Sequence, residues 1–357
     1  EYDGFDVDLV PCYRLDAATE IQSAVDRTPF HNEYLNARID ADLAEEVRLF
    51  KQFLKGVGAY GSDLRTRGFS GYLTELLVVE YGSFRAVIEA AADEWHPPVR
   101  FDPEDHATAT FEDPLIVVDP TDPERNVAAV CAAENVARLQ HYARDLLGDP
   151  REDLFFPEPT DPLDAAAVRD AVRGRGTTPI AVGFDAPDVV EDQLYPQLRK
   201  SLAGVRDELS RRGFDPLRAA TFADESAVLF VELEVAERPA VERHEGPPVH
   251  VRQHAEVFFG KYADEHNSSS PATQSQDADD PDAYGPFIDG DRYVVERERE
   301  FETAEEFLRS DALFDVALGV HVESALEADY DVLVGEEIGR LADEFGTELA
   351  DYFDPAP

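Results

Sequence analysis

One glycine and four prolines between residues 148 and 162 cut this chain into two stretches with different hydrophobic periods. Gly148 closes a helical pattern; Asp149-Pro150, Pro157, Pro159 and Pro162 follow, and proline continues neither a helix nor a strand ladder. Upstream, apolar residues recur every three or four positions. Leu43, Val47, Phe50 and Leu54 form one such stripe over 43–55, stopped by Gly56 and Gly58, and further helices are predicted over 72–79, 84–92 and 126–147. Downstream, the pattern predicts a strand over 178–184, a helix over 192–212, and strands over 216–222 and 226–236. That β-α-β-β order belongs to a ferredoxin-like α+β unit. The last third holds a predicted strand at 292–299 and helices near 303–309 and 334–352, beyond a Ser-, Asp-, Ala- and Gln-rich insert at 264–283 that reads as flexible. At the other end, residues 5–10 alternate as a strand does, with Phe5, Val7 and Leu9 on one face and Asp6, Asp8 and Val10 on the other, until Pro11 stops the ladder.

Charge separates this chain from ordinary globular domains. Its 357 residues carry a net charge of −45, spread along the whole length, and only four lysines, Lys51, Lys55, Lys200 and Lys261. A fold this acidic repels itself in dilute buffer; at molar salt the screening length shrinks to about 3 Å. The composition reads as adaptation to a salt-rich cytoplasm, as in a halophilic archaeon. Regular apolar spacing argues against the other meaning of high charge, disorder. No run approaches 18 apolar residues, so no membrane span is predicted. Two cysteines, Cys12 and Cys131, build no disulfide framework and fit a reducing, cytoplasmic setting. The chain starts at Glu1 and contains no methionine, from which an N-terminal piece is expected to precede it.

One window breaks the acidic rule. Between residues 48 and 67 stand Arg48, Lys51, Lys55, Arg65 and Arg67 against the single acid Asp63, where the chain average would give about −2.5. Arg48, Lys51 and Lys55 share a helix face, and Arg65 and Arg67 follow at strand spacing. The window suits phosphates, of a nucleotide or an RNA backbone. Pairing with nearby acids such as Glu45 and Glu46 is the alternative. Residues 56–61, Gly-Val-Gly-Ala-Tyr-Gly, spell a dinucleotide-loop pattern, but a helix precedes them where that loop needs a strand, so they read as a helix stop and turn. His250 and His254 lack a third ligand and read as surface residues; Trp95 reads as core.

Several stretches together resemble the archaeal, class I, CCA-adding enzymes. They are residues 6–13 (Asp-Val-Asp-Leu-Val-Pro-Cys-Tyr), 23–31 (Ser-Ala-Val-Asp-Arg-Thr-Pro-Phe-His), 46–55 (Glu-Val-Arg-Leu-Phe-Lys-Gln-Phe-Leu-Lys) and 67–77 (Arg-Gly-Phe-Ser-Gly-Tyr-Leu-Thr-Glu-Leu-Leu), with weaker similarity at 118–128 and 194–198. The resemblance implies an α+β protein: residues 1–30 as the end of a nucleotidyltransferase palm, 31–154 as a helical neck, 155–245 as a ferredoxin-like body, and 246–357 as a tail carrying the insert.

The implied chemistry is template-independent addition of C, C and A to the 3′ end of tRNA from CTP and ATP, with Mg2+ held by three carboxylates. Asp8 matches the third of these and is the implied catalytic and metal residue. No Gly-Ser loop followed by a DxD strand is found, so the first two ligands are expected before Glu1, and the fragment alone is expected to be inactive. For the nucleotide the resemblance points to His31, donating a hydrogen bond whether neutral or charged, to Lys51 and Tyr60 beside the triphosphate, and to Arg125 reading the base edge. Arg48, Lys55, Arg65 and Arg67 become the RNA-phosphate contacts. A homodimer is among the assemblies the resemblance implies. Two other readings stay open: a poly(A) polymerase-like or other nucleotidyltransferase, and a non-catalytic RNA-binding module.

Overall fold

The computed structural model describes residues 11–15, 20–263 and 284–357. The strand expected at 5–10 and the insert at 264–283 lie outside them. The chain is mixed α and β and divides into two units. The first comprises residues 1–160, 189–196 and 355–357, the second residues 161–188 and 197–354. Among the described residues no helix is long and apolar enough to cross a membrane.

In the first unit a short 3-10 turn, Ala24–Arg27, leads into α1 (Thr28–Asn36), which carries Pro29 in its first turn, where the fixed φ of proline suits a helix start. Helix α2 (Ala41–Gly56) follows, capped by Asp40, whose carboxylate accepts the Leu43 N–H at 2.9 Å. The predicted stripe is the face α2 turns inward: Val47, Phe50 and Leu54 are buried, Leu43 is half-buried, and Phe53 joins them. Burying side chains of this size contributes about 1.5–3 kcal/mol each before entropy is counted. Two serine-capped helices complete the bundle, α3 (Gly71–Tyr81) after Ser70 and α4 (Phe84–Asp93) after Ser83. Trp95 packs in this core, and its indole N–H donates to the Tyr81 hydroxyl at 2.9 Å.

The stretch read as purely helical also holds a three-stranded sheet, with β1 (Val99–Phe101) parallel to β2 (Leu115–Asp119) and β2 antiparallel to β3 (Asp122–Asn126). The helix expected from 126 starts only at Ala133, as α5 (Ala133–Gly148). Asn126 is the physical reason. Its buried side-chain oxygen accepts the backbone N–H groups of Val117 and Ala128 at 2.8 and 2.9 Å, and its amide donates to Asp113 and to the Leu115 carbonyl. These bonds tie the segment to β2 and outweigh local helical periodicity.

In the second unit, α6 (Ala165–Arg175) precedes β4 (Thr178–Asp185), α7 (Glu191–Arg211), β5 (Asp215–Ala223) and β6 (Ser226–Val235). Strand β6 lies between β4 and β5 and antiparallel to both, so α7 makes a split crossover between two parallel strands. The far edge is β10 (Asp331–Val334), giving the order β10-β4-β6-β5, and Phe345 and Leu349 of α11 (Ala342–Phe353) join its core. The strand expected at 292–299 is β9 (Arg292–Glu298), central in a second sheet, β7 (Val241–Pro248), β9, β8 (Tyr284–Asp289), to which α8 (Arg252–Ala263) belongs. Helices α9 (Ala304–Leu308) and α10 (Val320–Ala328) lie between the two strand systems in sequence.

Candidate functional site

Asp8 lies outside the described residues. His31 and Arg125, 94 positions apart in the numbering, meet on a residue that the sequence did not single out: Asp119, the last residue of β2. One oxygen, Oδ2, accepts His31 Nε2 at 2.9 Å and Arg125 Nη1 at 2.6 Å. The other, Oδ1, accepts the Thr121 backbone N–H at 2.9 Å and its hydroxyl at 2.8 Å, an Asx-type turn closing the β2–β3 hairpin. The Asp119 carbonyl bonds His106 Nε2 at 3.0 Å. The Asp119 side chain has no exposed surface.

Burial alone would push that carboxyl up. The hydrogen bond from His31, then the Thr121 N–H, the charge on His31 and the Thr121 hydroxyl outweigh it and hold Asp119 well below the usual carboxylate range. Asp119 is therefore an acceptor only, and His31 must carry its proton on Nε2. A neutral His31 then has a bare Nδ1, so it donates to a phosphate only as imidazolium.

His31 stacks on Tyr72, with centroids 3.9 Å apart and rings 11° from parallel. The Tyr72 hydroxyl is buried with no hydrogen-bond partner among the described residues, and burial, with Asp119 beside it, pushes its pKa far up. Tyr72 is the second residue of α3, and the residue before it organises the other half of the site. An ideal Cβ on Gly71 would lie 3.3 Å from the Tyr60 hydroxyl and 3.6 Å from Lys51 Nζ, so both polar tips converge over the first turn of α3. Tyr60 is fixed by a short bridge to Phe69, closed by Phe69 N–H to Ala59 O at 2.7 Å and Gly61 N–H to Phe69 O at 2.9 Å. Gly68 permits that approach, since a Cβ there would sit 2.1 Å from the Ala59 carbonyl oxygen. The Gly56–Gly61 pattern thus acts as helix stop and turn, as expected. Lys51 Nζ also donates to Glu75 Oε1 at 2.6 Å, one turn along α3.

The other basic residues divide. Arg48 is exposed and 3.9 Å from Glu45. Lys55 is exposed, its ammonium 5.2 Å from the centre of the Tyr60 ring. Arg65 is 3.5 Å from Glu191. Residues 63–67 form a turn rather than a strand, and Arg67 has φ of 53°, where its carbonyl accepts the Ala132 N–H and the Asn135 amide. Pairing with acids therefore accounts for Arg48, Arg65 and part of Lys51. His254 is exposed, and no group of three or more His, Cys, Asp or Glu converges as a metal site among the described residues.

Known proteins match this chain along its length. A family model for the C-terminal domain of CCA-adding enzyme matches residues 175–335, and one for the second domain of tRNA nucleotidyltransferase matches residues 45–156. The CCA-adding enzymes of Haloarcula marismortui and Halorubrum lacusprofundi are 61% and 59% identical over the whole chain, which covers 76% of each. This chain belongs to the CCA-adding enzymes. The Halobacterium salinarum CCA-adding enzyme is 58% identical over 99% of the chain and 75% of its own length. The CCA-adding enzymes are tRNA nucleotidyltransferases, and of the His31–Asp119–Arg125 cluster Asp119 and Arg125 lie within the matched second domain while His31 precedes it.

Proposed function

We propose that this protein adds C, C and A to the 3′ end of tRNA from CTP and ATP, releasing pyrophosphate, in the cytoplasm. The observation that carries the reading is the convergence of two unlike half-sites at the start of α3. Lys51 and Tyr60 meet over Gly71 and suit a triphosphate: a point charge and a hydroxyl donor. Next to them, Tyr72 stacks His31 in the Asp119 cluster that also holds Arg125. With Nη1 on Asp119, the Arg125 fork keeps Nη2 and Nε, and its side chain is 36% exposed. These N–H groups match the N3 and O2 acceptors of cytosine and the N1 acceptor of adenine; uracil and guanine carry a proton at the corresponding ring nitrogen.

The described residues alone do not compose a metal site. We assign Mg2+ to Asp8 on the resemblance, as one hard oxygen ligand among several; when bound, the metal would stabilise the attacking and leaving oxygens. The finer architecture is likewise a proposal: residues 1–30 end a nucleotidyltransferase palm, 31–154 form the neck, 155–245 a ferredoxin-like body and 246–357 a tail. The β10-β4-β6-β5 order with its split crossover supports the ferredoxin-like assignment, the body taking its edge strand from residues 331–334. Arg48, Lys55, Arg65 and Arg67 are proposed to meet tRNA phosphates, exchanging acid partners such as Glu45 for the RNA backbone. A homodimer is proposed as the assembly.

The test is to incubate the full-length protein with tRNA lacking its 3′ CCA and with CTP and ATP, separately and together. CTP alone should add two nucleotides and stop, and ATP should follow only then. ATP-only polymer growth, or tRNA binding without addition, would overturn the reading.

A further inference from the structure

Asp119 carries more than a structural load. A buried carboxylate costs several kcal/mol unless it is paired and hydrogen-bonded. This one has four donors: His31 Nε2, Arg125 Nη1, the Thr121 N–H and the Thr121 hydroxyl. Two of the four are the side chains assigned above to nucleotide binding, and both share one oxygen. A free arginine side chain has rotamer entropy to lose on being fixed. A guanidinium already tied at Nη1 loses less when its remaining edge meets a base, and that edge has one orientation in which to do so. The tie is itself rigid, because Thr121 locks the other carboxylate oxygen within the two-residue hairpin turn, and His106 holds the Asp119 carbonyl.

We propose that Asp119 is a positioning residue for nucleotide choice, orienting the Arg125 fork so that it accepts cytosine and adenine and rejects uracil. The proposal rests on the reading of Arg125 as the base-contacting residue. Asp119 touches neither base nor phosphate; it acts through Arg125. Thr121 belongs to the same device one bond further out.

The experiment measures kcat/KM for CTP and for UTP in the full-length protein carrying Asp119→Asn, Thr121→Val, Arg125→Ala, or Asp119→Asn with Arg125→Ala. Asp119→Asn should lower the CTP-over-UTP ratio roughly tenfold, the scale of one misaligned bidentate base contact. Thr121→Val, which keeps the charge and the Oδ2 contacts, should shift the ratio the same way by less. In the Arg125→Ala background, Asp119→Asn should change the ratio no further. A purely structural Asp119 would lower both rates together and leave the ratio alone, which overturns the proposal. Should Asp119→Asn fail to fold, an unchanged ratio in Thr121→Val overturns it as well. If Arg125→Ala itself leaves discrimination intact, the assignment of Arg125 fails first, a result distinguishable from failure of Asp119 alone.

Discussion

Lys51 and Glu75 form an ion pair 2.6 Å long, three-quarters shielded from solvent at both ends, where the Lys51 ammonium and the Tyr60 hydroxyl both lie close to Gly71. The ammonium has three donors and Glu75 takes one, so two are left for phosphate oxygens. Removing Lys51 would do double damage, deleting a cation and leaving a carboxylate facing the triphosphate. Lys51→Ala is expected to raise KM for CTP and ATP alike, by roughly tenfold or more, one decade being 1.4 kcal/mol. Lys51→Ala with Glu75→Ala should recover part of that loss. Steady-state kinetics on the two variants check this; equal KM values would place Glu75 outside the phosphate field.

Arg125 is predicted to govern which base enters rather than how tightly the phosphates bind. Arg125→Ala should leave the triphosphate contacts in place and reduce the preference for CTP over UTP by roughly 10- to 100-fold. It also takes one partner from the buried Asp119, so the fold should lose about 1–3 kcal/mol. A thermal melt on the same preparation separates the two effects, and unchanged base preference would remove Arg125 from the base edge.

How much of this was legible in the sequence follows from how local each signal is. The α2 stripe was readable because Leu43, Val47, Phe50 and Leu54 repeat at the helical period within one element, and the buried Trp95 needed only its size. Strand β2 was not: Leu115-Ile-Val-Val-Asp119 is a short apolar run that periodicity alone cannot tell from buried helix. Asn126 misled for a related reason, since its capping bonds to β2 are tertiary. Asp119 had no local mark at all. Its meaning comes from His31, 88 residues away, and from a hairpin whose existence was not foreseen. His31 and Arg125 were singled out by resemblance; the carboxylate joining them needed the fold.

Glu232 raises a prediction about acid. It lies in the middle of β6 with no exposed surface and accepts Arg175 at 2.5 and 3.0 Å, the Thr177 hydroxyl at 2.5 Å and the Tyr352 hydroxyl at 3.0 Å. Burial would push its pKa up; Arg175 first, then Thr177 and Tyr352, outweigh burial and lower it below its ordinary value near 4.5. A carboxyl depressed by folding contributes stability that is whole above the unfolded pKa and is lost as pH falls through the folded one. Asp119 acts in the same sense. Denaturant melts should therefore show stability falling below about pH 5. Glu232→Gln should cost on the order of 3 kcal/mol at pH 7, because Arg175 loses its anion. It should also lose less between pH 7 and pH 4 than the unaltered protein does. A parallel decline in both would show that Glu232 does not set the acid limb.

Salt should act on this enzyme's tRNA binding in an unusual way. Proteins that neutralise phosphates release counterions, so their affinity for nucleic acid falls steeply as salt rises. Here 77 acids face 32 lysines and arginines, and a polyanion approaches a chain of net charge −45. That long-range repulsion weakens as the screening length contracts from about 10 Å at 0.1 M to about 3 Å at 1 M. The few contacts proposed for phosphates, Arg48, Lys55, Arg65 and Arg67, would weaken over the same range. Repulsion sums over the whole surface and the contacts are few, so the first effect should dominate or cancel the second. Between 0.1 and 1 M KCl, the tRNA affinity measured by fluorescence anisotropy should stay level or rise, and the melting temperature should climb. A steep fall in affinity would mean that the basic residues outweigh the acidic surface and that its negative charge is screened locally at the tRNA site even in dilute buffer.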